Sequence, residues 1–473
     1  MTVDLVIVGG GGAGMCAALD AHARGLSCLI LEADDKLGGA TALSSGVYYA
    51  AGTRIQHANG IAGDTPDDAY DYIMTLNRAA VKPDVVRRLC DRAPGGLDFL
   101  IAQGCAFPTD HLVGGGRRRV ARGHSCSGEG GSIADVLARR VREAGIAVRF
   151  GVRVDSLLVE RGRVAGVRAD TEEIYGRATA ITTGGFGNSR EMVARLYPSV
   201  AQHGERTWAV HEPAPYILGD GIRMAEAIGA AVTGHDTGLP LPTAGFAHNV
   251  EGVLPPWIML VNREGRRFMA ETSPFSLSGY LINEQTGATT FAIFDEKTLV
   301  EISDDLDYLD PLKQRMSVPS WHQDSIRARA ADGMVHRAAS IDALARAAGI
   351  DPIALETTVS RYNVDFDRGA DSAYFKAAGH HAVRVPPFYA VEVRASMIGL
   401  TAAGLEIDAD AHVLDTHGRI IPGLYAAGEV LGCVIGSRYA AGGVSIANAI
   451  VFGLLIGESA AADLGVRETL KVA

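Results

Sequence analysis

Six small residues in a row, Gly9-Gly10-Gly11-Gly12-Ala13-Gly14, follow an apolar run at 4–8 and precede an alanine-rich stretch at 15–24. A second apolar run at 28–31 ends in Glu32, 18 residues past Gly14. Strand, glycine turn, helix, strand and acid at this spacing form a dinucleotide cradle. Gly9 permits the tight turn, Gly11 lets backbone N–H groups reach a pyrophosphate, and Gly14 lets helix pack on strand. Glu32 is placed to accept hydrogen bonds from a ribose diol. The competing reading is a glycine-rich turn that binds nothing, and it leaves the rest of the pattern unused.

The elements that must position these residues are legible in the same segment. Residues 4–8, Asp-Leu-Val-Ile-Val, suit a strand buried on both faces. Residues 15–24 predict a helix ended by Gly25. Three further small-residue segments follow: KLGGATALSSG at 36–46, ATAITTGGFG at 178–187, and GLYAAGE at 423–429 with Gly442-Gly443-Val444-Ser445-Ile446 behind it. The first reads either as a surface loop or as close backbone along a flavin's ribityl chain. The other two break the tie. A C-terminal strand with a glycine-opened helix can point N–H groups and a positive dipole at the electron-rich end of a flavin.

Composition narrows the class. The chain has 473 residues with 57 Gly, yet no G-X-Y period and only 18 Pro, which excludes collagen and Pro-rich disorder. A 47% hydrophobic content beside 21% charged residues belongs to a folded protein with a sizeable core, at two or three domains. A net charge of −11 argues against nucleic acid as a partner, and the basic run at 117–119 with Arg122 is too short to reverse that. The six Cys form no C-x-x-C pair, so neither a metal site nor a disulfide framework is expected, and free thiols fit a reducing compartment. No basic region precedes the N-terminal apolar stretch, so no signal peptide is expected. The apolar run at 447–457 contains Asn448 and stops at Glu458; it predicts a buried helix rather than a membrane span. A cytoplasmic protein is the expectation.

Taken in order, these segments, with GDG at 219–221, NREGRRF at 262–268 and GGVSIANAIVFG at 442–453, cover nearly the whole chain. They resemble the flavoprotein family of fumarate reductase, succinate dehydrogenase and 3-ketosteroid dehydrogenase. The resemblance implies an α/β fold: a Rossmann-like FAD-binding domain at 1–237 and 363–473, with an inserted α+β cap (substrate) domain at 238–362. Residues 340–363, broken at Gly349 and Pro352, predict two short helices leading back to the flavin domain. FAD is implied, and non-covalent, because the loop after Gly39 has no His at the usual attachment place. By resemblance Gly9, Gly11, Gly14, Glu32, Gly39, Thr41, Ser45, Gly46, Val154, Gly184, Asp220, Glu429, Ser445 and Ile446 line FAD. Glu429 would meet ribityl or ribose hydroxyls, and Ser445 and Ile446 the isoalloxazine end. Asp220 also reads as the N-cap of a helix over 221–229.

The departures from the family bear on the reaction. A dicarboxylate needs cations and donors, because burying two unpaired charges is prohibitive. Where the family has His before Pro-Thr, this chain has Leu241-Pro242-Thr243; where its proton-donating Arg follows, Thr272-Ser273-Pro274-Phe275. Where a second His precedes Thr it has Leu400-Thr401, and where an Arg precedes the GG pair it has Ala440. The steroid branch is similar in carrying a Tyr four residues before a Gly, here Tyr439 and Gly443. A phenol O–H and a helix-start N–H can converge on one carbonyl oxygen and stabilise the enolate formed as the α-proton leaves, with hydride passing from the β-carbon to the flavin. Tyr439 as a packed aromatic is the other reading.

The branch's S-P-Y tyrosine is Phe275 here, so the base is unassigned among Tyr280, His124 and His111. His124 also reads as a histidine satisfied by backbone. Tyr48-Tyr49 suits either the pocket floor or the core. Arg438 suits the carboxylate of a small ring ketone such as 4-oxocyclohexanecarboxylate, or turns to solvent or to flavin phosphate. The expectation is an FAD-dependent desaturase of a cyclic ketone, either a 3-ketosteroid or such an oxo-acid, serving an unidentified electron acceptor. Tyr439 and Gly443 are the catalytic candidates; Arg438, Phe275, Leu241, Leu400, His124 and Tyr280 are the substrate-binding ones. Fumarate-reductase-like reduction of an unsaturated carboxylate and a non-catalytic flavin-binding relative are the alternatives.

Overall fold

The computed structural model describes residues 3–114, 120–212, 214–248, 254–302, 319–376 and 379–466, so the basic run at 117–119 lies outside the described residues. The chain divides into two compact units. Met1–Pro198, His211–Leu239 and Leu400–Ala473 form the first; Ser199–Val210 and Pro240–Gly399 form the second.

In the first unit Val3–Val8 runs between Cys28–Leu31 and Glu172–Ile181, parallel to both, inside an eight-stranded sheet. Ala147–Arg149 extends one side and Ile420–Ala426 the other, again in parallel. His412–Leu414 closes that edge antiparallel, and Ser156–Glu160 with Arg163–Ala169 branches from Glu172–Ile181. Leu5, Val6 and Ile7 are wholly buried, as a strand covered on both faces requires.

Helix Gly12–Ala23 follows the first strand, with Gly25 (φ +91°) just past its end. It packs closely on helix Val444–Asp463. A Cβ at Gly453 would lie 2.5 Å from the Ala13 carbonyl oxygen, and one at Gly457 would lie 2.6 Å from the Ala21 nitrogen. Helix Val444–Asp463 is longer than the apolar run suggested. It is long and apolar enough to cross a membrane by length and composition, yet most of it is buried inside the protein.

The second unit is built on a six-stranded sheet. Phe388–Thr401 pairs antiparallel with Thr290–Asp295, which pairs antiparallel with Met259–Asn262. Alternate residues feed two cores. Phe294, Tyr389, Val391 and Val393 join Trp257 and Trp321 on one face, while Phe291, Ile293, Phe388 and Ala390 join Leu344, Leu355 and Tyr362 on the other. Both faces are covered.

The helices expected over 340–363 are present as Ile341–Ala348 and Pro352–Asp367, separated at Gly349 (φ +68°). They do not lead back to the first unit, so the boundary expected at 363 lies too early. Phe388–Thr401 ladders with Thr290–Asp295 and fills the second core, which carries the division to 399/400. The boundary expected at 238 falls beside the observed one at 239/240. The segment Ser199–Val210 joins the second unit because Trp208 and Ala209 pair with Met397 and Ile398.

Candidate active site

The glycine turn of the first unit is packed almost everywhere. Gly9 adopts φ +103°, and a Cβ there would sit 2.5 Å from the Thr182 carbonyl oxygen. A Cβ at Gly10 would meet Leu37 at 2.2 Å, and one at Gly12 would meet Thr41 Oγ1 at 2.6 Å. Gly11 differs: its nearest neighbour would be the Gly38 oxygen at 4.0 Å, so open space borders this residue alone in the turn. Glu32 closes the strand end beside it, its carboxylate accepting from Gly10 N at 2.6 Å and Asp34 N at 2.8 Å. Thr41 Oγ1 accepts from Gly12 N at 3.3 Å. Gly39 (φ +50°) and Gly46 (φ +67°) shape the following loop.

A Cβ at Gly14 would lie 2.0 Å from the Gly9 carbonyl oxygen, a backbone atom that cannot step aside. Gly14→Ala therefore pries helix Gly12–Ala23 off its strand and distorts the turn. The expected outcome is a purified protein without the yellow flavin spectrum, and retention of the full 450 nm-region absorbance per chain would contradict it.

Gly443 (φ +98°) is the N-cap of helix Val444–Asp463. Tyr439 is buried, and its phenol oxygen lies 3.2 Å from Ser445 Oγ and accepts from Ser445 N at 3.4 Å, with the Gly443 N–H also directed at it. The two catalytic candidates are thus gathered at one helix N-terminus. Burial raises the Tyr439 pKa above its ordinary value, against the opposing pull of these donors, so the phenol stays protonated at neutral pH. Glu429 Oε1 accepts from Thr401 N and Oγ1, both at 2.9 Å.

The remaining positions are mixed. Val154 and Ile446 are buried, Gly184 has φ +75°, and Ser45 is exposed. Asp220 is not an N-cap: Gly219 caps helix Asp220–Glu226, and the Asp220 carboxylate is held by Arg153 at 2.9 Å and Arg223 at 2.8 Å. Both ring nitrogens of His124 are engaged. Nδ1 lies 3.0 Å from the Arg122 carbonyl and 3.2 Å from that of Tyr48; carbonyls only accept, so Nδ1 carries the proton and Nε2 accepts from Thr53 Oγ1 at 2.8 Å. Burial lowers its pKa. His124 is thus a satisfied interior histidine. Arg438 Nη1 donates to the Ser437 carbonyl at 2.9 Å, and His111 is exposed. Leu400 is buried in the first unit, whereas Leu241, Phe275 and Tyr280 belong to the second.

Sequence reasoning missed the polar frame under this region. Arg122 forks onto Asp64 through Nη2–Oδ1 at 2.6 Å and Nε–Oδ2 at 2.9 Å, and donates to Tyr49 Oη at 3.1 Å. Arg122 appeared in the sequence only as part of a basic cluster.

A parallel-sheet unit with a glycine cradle and a glycine-capped second helix defines a nucleotide-dependent flavoprotein. The chain belongs to the FAD binding domain family, whose profile matches residues 4–446. It is 30% identical to fumarate reductase (cytochrome) of Shewanella frigidimarina, over 97% of this chain and 77% of that protein. To 3-oxosteroid 1-dehydrogenase of Mycobacterium tuberculosis it is 26% identical, over 96% and 97%. In fold it resembles 3-ketosteroid delta1-dehydrogenase from Sterolibacterium denitrificans in complex with 1,4-androstadiene-3,17-dione, with TM-score 0.79 at 22% identity, covering 98% and 99%. The protein is an FAD-dependent oxidoreductase acting on carbon–carbon bonds. The residues present fit that cofactor: open space borders Gly11, whose backbone would meet a pyrophosphate, and the Glu32 carboxylate beside it would accept from a ribose diol.

Proposed function

We propose that the protein desaturates a cyclic ketone α,β to its carbonyl. The observation that carries this reading is the meeting of the Tyr439 phenol with the Gly443 and Ser445 N–H groups at the start of helix Val444–Asp463. Tyr439 O–H and Gly443 N–H polarise the carbonyl and hold the oxyanion as the α-proton leaves. Tyr280 and His111 are the remaining candidates for the base, since both His124 nitrogens are engaged. Bound FAD supplies the two-electron acceptor. Its proposed attachment is non-covalent, because residues 38–46 contain no His. A separate electron acceptor then collects the electrons, in the cytoplasm on this reading.

The four apolar substitutions, Leu241, Phe275, Leu400 and Ala440, count against a dicarboxylate. Likeness to fumarate reductase supports the second reading, reduction of an unsaturated carboxylate. Dye-coupled turnover of a 3-ketosteroid, 4-oxocyclohexanecarboxylate and succinate separates these readings. Turnover of succinate alone contradicts the proposal. Arg438→Met divides the two ketones: KM for the oxo-acid is expected to rise at least tenfold, with the steroid changed less than threefold. Equal effects on both would remove Arg438 from carboxylate recognition.

A further inference from the structure

Tyr439 has no regular element of its own; it sits in the loop between strand Ile420–Ala426 and helix Val444–Asp463. Something else must fix it, because an oxyanion donor works only when held within a fraction of an ångström. Two side chains from the far N-terminal part of the unit bracket it. Asn77, the C-cap of helix Pro66–Leu76 and 1% exposed, accepts from Arg438 N through Oδ1 at 2.8 Å. Its amide nitrogen lies 3.3 Å from the Arg438 carbonyl and 3.2 Å from that of Ile435. On the other side of Tyr439, Tyr72 of the same helix donates to the Ala440 carbonyl at 3.3 Å. Asn77 presses so close to the loop that a Cβ at Gly436 (φ +76°) would lie 2.5 Å from its Oδ1. Tyr49 N donates to the Gly443 carbonyl at 3.3 Å and ties down the N-cap that carries the second donor.

We propose that Asn77 and Tyr72 are positioning residues for the oxyanion donor: one helix grips the peptide groups just before and just after Tyr439 and so sets where its phenol points. This rests on the catalytic reading of Tyr439. The amide is matched to the task. One side chain both accepts from and donates to the same residue, which no apolar or singly functional group can do, and its burial leaves no water to replace it.

The test uses FAD-loaded protein oxidising 4-oxocyclohexanecarboxylate and a 3-ketosteroid with a dye acceptor. Asn77→Ala is expected to lower kcat about 10²-fold with KM within threefold. Asn77→Asp, which keeps the acceptor for Arg438 N, should recover part of that loss, and Tyr72→Phe should give a smaller one. In a Tyr439→Phe background Asn77→Ala should cost less than threefold more, because the group it positions is gone. A readout without turnover is the visible shift of 4-nitrophenolate, an enolate mimic: Asn77→Ala should weaken its binding at least tenfold at unchanged FAD content. Full additivity with Tyr439→Phe, or an Asn77→Ala kcat within threefold of the parent beside a crippled Tyr439→Phe, overturns the positioning role and leaves the catalytic reading standing. A Tyr439→Phe protein with unchanged kcat overturns both.

Discussion

Tyr439→Phe should lower kcat for ring-ketone oxidation by about 10²–10³-fold, the effect of deleting one oxyanion donor, while leaving FAD bound. The substitution removes one oxygen from a buried ring and preserves its packing, so stability and the visible spectrum should stay close to those of the parent. The loss falls on kcat more than KM, since the phenol's bond strengthens as negative charge develops on the substrate oxygen. Burial also fixes the pH signature. With its pKa raised above the ordinary tyrosine value of 10.0, Tyr439 keeps its proton through the neutral and mildly alkaline range. An alkaline loss of rate assigned to this group must therefore lie above pH 10, and it should vanish in Tyr439→Phe. A kcat within threefold of the parent would remove the phenol from the chemistry.

The second large effect concerns the second unit rather than the reaction. Arg267, Glu271, Asp371 and Lys376 form a four-charge network whose side chains are at most 5% exposed. Arg267 bridges both carboxylates, at 2.8 Å to Glu271 and 2.9 Å to Asp371. Lys376 Nζ lies 3.4 Å from Glu271 and donates to the Ile258 carbonyl at 2.8 Å and Tyr362 Oη at 2.9 Å. Two positive and two negative groups balance. Arg267→Met leaves two buried carboxylates without the guanidinium that bridges them, and removing one partner of such a set costs about 3–5 kcal/mol.

The pH dependence of that network has a definite sign. Burial first of all lowers the Lys376 pKa from 10.5 to about 8. Between those values the unfolded chain holds a proton that the folded one lacks. Lys376 therefore contributes a rise in stability with pH across about 8 to 10.5, and Lys376→Met lacks that rise. Urea unfolding followed by tryptophan fluorescence reads this unit alone, because Trp208, Trp257 and Trp321 all lie in it. A loss under 1 kcal/mol at pH 7 in Arg267→Met, or the same pH slope in parent and Lys376→Met, would contradict the account.

What the sequence revealed was local. The cradle from Gly9 to Glu32 could be read because its turn, its helix and its acid follow one another within a single strand–helix–strand unit, where Gly9, Gly10, Gly12 and Gly14 are each held by close neighbours and Gly11 borders open space. Tyr439, Gly443 and Ser445 were legible for the same reason, being six residues apart at most. The frame behind them was not. Asn77 meets Arg438 across 361 positions and Arg122 meets Asp64 across 58; within the second unit, separately, Arg267 meets Asp371 across 104. No spacing rule links such partners, because sheet order rather than sequence brings them together. His124 shows the converse: its residue type suggested a base, and only the Thr53 hydroxyl, 71 positions away, shows it to be occupied. The late boundary at 399/400 has a similar origin. The place of Phe388–Thr401 in the second unit is fixed by its ladder to Thr290–Asp295, a partner about a hundred positions away that no local pattern names.

The most direct measurement is anaerobic titration of the purified, FAD-loaded protein with each candidate substrate in turn, followed at the flavin's visible band. A 3-ketosteroid or 4-oxocyclohexanecarboxylate is predicted to bleach the band stoichiometrically and to yield a product two hydrogen atoms lighter, unsaturated α,β to the carbonyl, with succinate leaving the spectrum unchanged. Bleaching by succinate with no response to any ring ketone would contradict the account at its centre.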